Sequence, residues 1–376
     1  RIASANGFTS LSKANVGVLR NKGWELNAYT SKFARVGKFS MKLRGNIAQN
    51  FNEVEEMDPL ILEALNGAET YQPGNLAYNN RVQIGNALGS IYGLRYKGVY
   101  RYDYDHNGYT TASISSYGYA EVNNTGYDAQ GNPINTAAAA QRRHENFTCP
   151  IAYDADGNML TDAKGIPLPM YYCYNESYRK QFQGGDAIYE DVNHDGQIDR
   201  YDMVYLGNSN PKCNGGFGFT LFYGRFSLNT GFNFRMGNKI INLARANYES
   251  MRSNTNQSYA TTWRWRKNGD ETVIPRALTN VNGYESYNSL PSDRYVENGN
   301  YLRLQYVQLR YEFNPQKLKK YGIRQLTLSA SANNVWCWSK YTGVDPDVSP
   351  QGFSVSTDNS RTPRTKSFTC SANLSF

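Results

Sequence analysis

The stretch FTLFYGRFSLNTGFNFRM, residues 219–236, changes the parity of its apolar residues halfway along. Phe217, Phe219, Leu221 and Tyr223 hold odd positions, whereas Phe226, Leu228, Thr230, Phe232, Phe234 and Met236 hold even ones. Alternation with a period of two marks a β-strand with one apolar and one polar face. The Gly224-Arg225 pair at the change suits a two-residue type II′ hairpin, whose first central position requires a positive φ that glycine accepts. Such a hairpin sets Tyr223 opposite Phe226, Leu221 opposite Leu228 and Phe219 opposite Thr230, so both apolar sets share one face. A slip of one residue would send half of them to the other side.

The same pattern recurs along the chain. Trp24, Leu26 and Ala28 precede a turn expected at Val36-Gly37, and Phe39, Met41, Leu43 and Ile47 follow it, which sets Ala34 opposite Phe39. Lys38, Ser40, Lys42, Arg44 and Asn46 then occupy the polar face. Further strands are expected near Asn15–Leu19 and at roughly 87–103, 301–313 and 323–338. In 301–313 the apolar parity moves from Leu302 and Leu304 to Val307, Leu309, Tyr311 and Phe313, which signals a bulge near Gln305. The stretch 323–338 runs through Leu326, Leu328, Ala330 and Ala332 to an indole pair, Trp336 and Trp338. The last ten residues, SFTCSANLSF, alternate Phe368, Cys370, Ala372, Leu374 and Phe376 with Ser, Thr and Asn. Together these make about nine or ten strands.

An alternating strand meets either a soluble core or lipid, and composition weighs between the two. The 376 residues include 31 tyrosines, aromatics are 14% and charged residues only 19%. That mixture suits the aromatic girdles of an outer-membrane barrel. No apolar run approaches the ~18–20 residues of a helical span, so any membrane residence is by strands. Lys or Arg at the bilayer midplane costs ~2–4 kcal/mol, and the cations of the polar face therefore belong in a wide, wet lumen. The connections alternate in length, with short turns at 36–37 and 224–225 and long loops at roughly 51–86, 104–184, 239–299 and 339–363. Outer-membrane barrels have that asymmetry. The whole chain, 1–376, reads as one barrel portion without a separate second domain. Its start, RIASANGFTS, has neither a basic nor an apolar region of a signal peptide, so the chain is expected to be part of a larger product.

The net charge of +8 is spread out rather than gathered into a stripe, which argues against nucleic acid. Five cysteines without a CxxC argue against zinc or redox motifs. Cys149 and Cys173 share one loop region and are candidates for a disulfide in an oxidising compartment, while Cys370 reads as a small hydrophobe. The only histidines, His106, His144 and His194, lie in expected loops with no nucleophile motif nearby, so no enzyme is read here. Tyr127–Asn132 and Tyr153–Asn158 echo one another as Asp/Asn/Gly turns.

The sharpest local motif is EDVNHDGQIDRYD. Asp191, Asn193, Asp195, Gly196, Gln197, Asp199 and Asp202 fall at positions 1, 3, 5, 6, 7, 9 and 12 of a twelve-residue calcium loop. A hard cation needs six to eight oxygens, and this spacing folds alternate side chains toward one centre. Position 12 is the shorter Asp rather than Glu. Ca2+ or another divalent cation is one reading, and a ladder of Asx turns without an ion is the other. Asp103, Asp105, Asn107 and Gly108 imitate half the template, but Ile114 fills its twelfth position and favours the turn.

Several stretches together resemble the SusC/RagA-like TonB-dependent outer-membrane transporters. They are NVGVLRNKGWEL (15–26), SIYGLRYKGVYR (90–101), GDAIYEDVNHDGQIDRYDMVYLGNSNPKCNGGFG (185–218), RYVENGNYLRLQYVQLRYEF (294–313), SANNVWCWSKYTGVDPDV (331–348) and the terminal SFTCSANLSF. The resemblance implies an all-β fold, an antiparallel transmembrane β-barrel, with this chain forming about ten C-terminal strands of a roughly 22-stranded barrel. Its plug, TonB box and remaining strands would lie outside this chain. It further implies active import of an oligosaccharide or peptide across the outer membrane of a Gram-negative, Bacteroidetes-like bacterium. A SusD-like lipoprotein would act as lid, TonB would supply energy, and transporter–lid pairs would dimerise. Phe368, Leu374 and Phe376 would serve barrel closure and recognition by the barrel-assembly machinery. In loops 239–299 and 339–363, Trp263, Trp265, Tyr284, Tyr287, Tyr341 and Asp345 are candidate ligand or lid contacts, with packing inside the loops as the alternative. A passive porin or adhesin, and a secreted calcium-binding β-sandwich, are the competing classes.

Overall fold

The computed structural model describes residues 17–59, 61–62, 78, 82–101, 150–163, 168–175, 178–267, 269–279, 286–348 and 355–376. Its main element is an antiparallel sheet of β1 (Gly17–Tyr29), β2 (Phe33–Val36), β3 (Phe39–Met57), β4 (Cys213–Tyr223), β5 (Phe226–Met236), β6 (Tyr301–Glu312), β7 (Gln325–Ser339) and β8 (Ser367–Ser375). They run in the order β1-β3-β4-β5-β6-β7-β8, with β2 paired to β3 alone. The sheet is not closed, and β1 and β8 are its two edges.

The hairpin at 219–236 forms as its parity requires. Tyr223 pairs with Phe226 and Leu221 with Leu228, and Gly224 supplies φ +60 at the turn. Phe219 meets Thr230, whose hydroxyl bonds to both the Phe219 amide and carbonyl at 3.3 and 3.2 Å. The bulge at Gln305 is present too, since the β6 register shifts between Leu304 and Tyr306 against β7 and between the corresponding positions against β5.

Three expectations need correction. The first turn is Gly37-Lys38, with Val36 paired to Phe39 rather than Ala34 facing it. Gly37 takes φ +57 without strain, which β-branched Val36 would not, and Ala34 at φ +51 absorbs the displaced residue as a bulge. Residues 17–19 belong to β1 rather than to a separate strand. The stretch 87–103 is no barrel strand: it breaks into Ser90–Gly93 and Tyr96–Val99, which pair with 204–208 and 187–189 outside the main sheet. Among the described residues the sheet therefore holds seven strands in its path plus β2, where nine or ten were expected of the whole chain.

Pairing aligns side chains into cross-strand rows. One face carries Met41, Leu221, Leu228, Leu309, Ala330 and Cys370 in register, with Gly45, Phe217, Phe232, Leu304 and Trp336 in another row. The opposite face carries Lys42, Thr220, Asn229, Gln308, Ser331 and Thr369. The apolar side is the outer one in a barrel, and it is open: Trp336 is 56% exposed and Phe368 81%.

The buried core lies instead in the long connections, which all leave the same end of the sheet. Short strands at 90–93, 96–99, 171–175, 178–181, 187–189 and 204–208 pack around Tyr172, Tyr174, Phe182, Tyr189, Ile198 and Tyr287. The Phe182 and Tyr287 rings meet edge to face at 5.2 Å. What reads as polar loop in the sequence is thus a packed outer module. At the opposite end the described connections are short: the link 30–32, the turns 37–38 and 224–225 and the link 313–324. Within the module, Asp154 accepts the amides of Asp156 and Asn158 at 2.9 and 2.8 Å while Gly157 takes φ +82, as expected of that turn. Its echo at 127–132, the half-template at 103–114, His106, His144, Cys149 and Tyr284 lie outside the described residues.

Candidate functional site

Alternation along β3, β4, β5 and β6 gathers a polar patch on the inner face. Arg44, Asn46, Asn214, Asn233, Arg235 and Tyr306 line a concave cleft of about 680 Å³ with no carboxylate among its described lining residues. The Tyr306 ring abuts Gly231, where any Cβ would strike it, and the Arg44 guanidinium sits 5.6 Å from the ring centre. Gly215, Gly216 and Gly231 also line the cleft. Phenols, amides and guanidiniums are groups that bind polar ligands by hydrogen bonds and ring contacts. They offer no nucleophile and base pair for chemistry.

The outer end of the patch is fastened to the 341–348 loop by ion pairs. Arg303 meets Asp345 at 2.5 Å, and Arg235 and Arg364 meet Asp347 at 3.3 and 2.5 Å. Arg303 and Asp345 are 5% and 16% exposed, so the pair is shielded from screening salt. Against the opposing effect of burial, the Asp347 amide and the Arg303 guanidinium together hold the Asp345 carboxyl below its usual range.

The five candidate contact residues that are described, Trp263, Trp265, Tyr287, Tyr341 and Asp345, do not converge on one surface. Tyr287 is buried and donates to Asp186 at 2.8 Å, Tyr341 donates to Asp358 at 2.7 Å, and Asp345 is engaged by Arg303. Trp265 packs against Gly185 and donates its indole N–H to the Arg101 carbonyl at 3.1 Å. Of these five, only Trp263 stands out into solvent, 69% exposed. Sequence reasoning passed over Asn214, Asn233 and Tyr306, whose signal was their shared parity with Arg44 and Asn46. Phe368, Leu374 and Phe376 line the open β8 edge, all exposed.

In the 191–202 loop the acids serve backbone amides. Asp191 accepts from Asp195 at 3.2 Å and Gly196 at 2.8 Å, Asp195 from Gln197 at 2.8 Å, and Asp199 from Tyr201 at 2.7 Å. Asn193 bonds Asp195, and fully buried Asp202 takes the amides of Val192 and Asp199 at 2.8 Å each. His194 and Gly196, at φ +56 and +79, make the tight bend. Among the described residues no three acidic, His or Cys side chains are gathered about one centre. Burial, with Asp191 and Asp199 nearby, pushes the Asp202 carboxyl up to about 7.

No family model matches the chain. Over 389 aligned residues it is 28% identical to TonB-dependent receptor P39 of Formosa agariphila, covering all of this chain and 32% of that receptor. TonB-dependent receptor P26 of the same organism is 24% identical over 93% of this chain and 28% of its own length. Among solved structures, the RagAB peptide transporter superposes with a TM-score of 0.60 at 17% identity, over all of this chain and 31% of that one. The RagAB peptide importer in its open-open state gives 0.56 at 16% identity, over all of this chain and 30% of its own. The chain thus spans about a third of the length of the relatives it matches. Receptors of this kind are outer-membrane transporters and not enzymes. Its relatives and its open antiparallel sheet lead to one assignment: the chain is homologous to TonB-dependent receptors and shares its fold with part of the RagAB transporter structures, corresponding to a part of the larger protein.

Proposed function

We propose that the whole protein imports an oligomeric nutrient, a peptide or oligosaccharide, across the outer membrane of a Gram-negative, Bacteroidetes-type bacterium. A SusD-like lipoprotein lid captures the ligand, the lumen receives it, and TonB acting on parts outside this chain drives release. Transporter and lid work as a dimer of pairs. The observation that carries this reading is the reversed polarity of the wall: an exposed apolar face outside and amides, phenols and guanidiniums inside. Within it, the Arg44–Tyr306 cleft would form one side of the binding cavity.

Deleting the full-length gene should abolish uptake of labelled peptides or oligosaccharides, and deleting the TonB energiser should do the same. Uptake that survives loss of TonB, or ion conductance by the purified protein in planar bilayers, would favour a passive porin instead.

We also propose that the 191–202 loop takes Ca2+, exchanging some of its turn bonds for ion contacts through Asp191, Asn193, Asp195, Gln197, Asp199 and Asp202. The calcium-loop spacing of these oxygen-bearing side chains supports it. At micromolar affinity, millimolar Ca2+ should add about 3–4 kcal/mol to the module's stability. Differential scanning calorimetry with Ca2+ and with chelator measures this, and the increment should vanish in Asp195→Ala. Identical melting curves would leave the loop as a ladder of turns.

A further inference from the structure

A second cleft, of about 490 Å³, opens where the outer ends of β3 and β5 meet the module. Seven asparagines and two lysines line it, with no carboxylate among the described lining residues. The side-chain oxygens of Asn52, Asn298 and Asn300 are already taken, by the amides of Leu88, Asn300 and Gly237 at 2.8, 2.9 and 2.6 Å. Their NH2 groups remain to donate. Asn238 is 1% exposed, and neither of its amide atoms has a partner. A buried amide left unbonded is costly, so a group that satisfies it is favoured at that spot.

Three glycines seat the donors. A Cβ on Gly237 would come within 2.6 Å of the Lys212 Cγ, one on Gly207 within 2.6 Å of the Lys239 Cγ, and one on Gly299 would strike the Asn238 amide nitrogen. Gly237 and Gly207, at φ +86 and +139, lie where other residues are strained. Both lysine stems thus lie along bare backbone, and neither ammonium has an ion pair among the described residues. Phe51 and Tyr205, 54% and 51% exposed, add ring faces to the same lining.

We propose that this cleft binds the oxyanion of an acidic saccharide, a carboxylate or phosphate carried on a sugar. The two ammoniums and the free NH2 groups take the anion, and the Phe51 and Tyr205 rings take the sugar faces. It is separate from the Arg44–Tyr306 cleft and does not depend on import. The same chemistry has two sources, a soluble acidic oligosaccharide or the headgroup of outer-leaflet lipopolysaccharide.

Calorimetric titration of the full-length receptor distinguishes them, using tetragalacturonate, its neutral methyl ester and purified lipopolysaccharide. At least one acidic probe should bind about tenfold more tightly than the ester, and weaken as salt rises from about 0.05 to 0.5 M. The Lys212→Gln/Lys239→Gln variant should lose about tenfold or more of that affinity at an unchanged melting temperature. Whichever acidic probe shows this loss names the source. Asn238→Leu should weaken binding while keeping or raising the melting temperature, because an apolar side chain of similar shape removes the unbonded amide. Equal affinity for acid and ester, no binding of either acidic probe, or undiminished binding in the folded double-lysine variant would overturn the proposal.

Discussion

Asp186→Ala should loosen the outer module by about 3 kcal/mol, the scale of breaking a buried ion pair while leaving its partner behind. Asp186 is fully buried and accepts five hydrogen bonds: Arg276 Nε at 2.6 Å and its terminal nitrogen at 3.2 Å, Tyr287 at 2.8 Å, Asn288 at 3.1 Å and the Gln183 amide at 2.8 Å. Each donor but Gln183 comes from 276–288, so one carboxylate joins two segments about a hundred residues apart in sequence. Its removal takes the acceptor from the Tyr287 phenol and the carboxylate from Arg276, which keeps Gln183 Oε1 at 3.1 Å, while Asn288 keeps the Arg276 carbonyl at 3.2 Å. Hydrogen exchange on the full-length receptor reads the consequence locally. Amides of 183–190 and 286–290 should exchange about a hundredfold faster, while those of β5 and β6 keep their rates. Unchanged protection around Asp186 would show that the module is held by its ring packing alone.

That network also shows where sequence reading stopped. Tyr287 and Trp265 looked like ligand contacts because loop aromatics commonly are, but exposure is not written in local sequence. The acceptor that buries Tyr287 lies 101 residues away, and Trp265 is covered by its seat on Gly185. The hairpin at 219–236 was legible because its information is local: parity places the faces and a Gly-X turn sets the register. The Gln305 bulge was legible for the same reason. The stretch 87–103 misled because Ser90–Gly93 is buried on both faces, so alternation carried no information about its neighbours. Parity likewise assigned Arg44 and Asn46 to the wet face. Which inner residues converge with them depends on strand stagger across β3 to β6, a property of the assembled sheet.

Val307→Arg and Gln308→Arg, one residue apart on β6, should differ by about 2–4 kcal/mol in unfolding free energy when the full-length receptor is refolded in lipid vesicles. Val307 pairs with Thr230 and Ala332 in a row that includes Leu43 and Phe219, near the middle of the apolar band, while Gln308 pairs with Asn229 and Ser331 on the inner face. A guanidinium at Val307 enters hydrocarbon, whereas one at Gln308 enters water beside residues already polar, with a cost within about 0.5 kcal/mol. A soluble core would also reject arginine at Val307, and depth separates the two solvents. Tyr223, 63% exposed beside the 224–225 turn, lies at the edge of the band, so Tyr223→Arg should cost only about 0–1 kcal/mol in a bilayer. Lipid of matched headgroup and shorter chains should reduce the Val307→Arg penalty as the midplane draws nearer to water, without changing that of Gln308→Arg. A penalty at Val307 that ignores chain length, or one as large at Tyr223, would mean that the Leu and Phe rows pack against protein and not lipid.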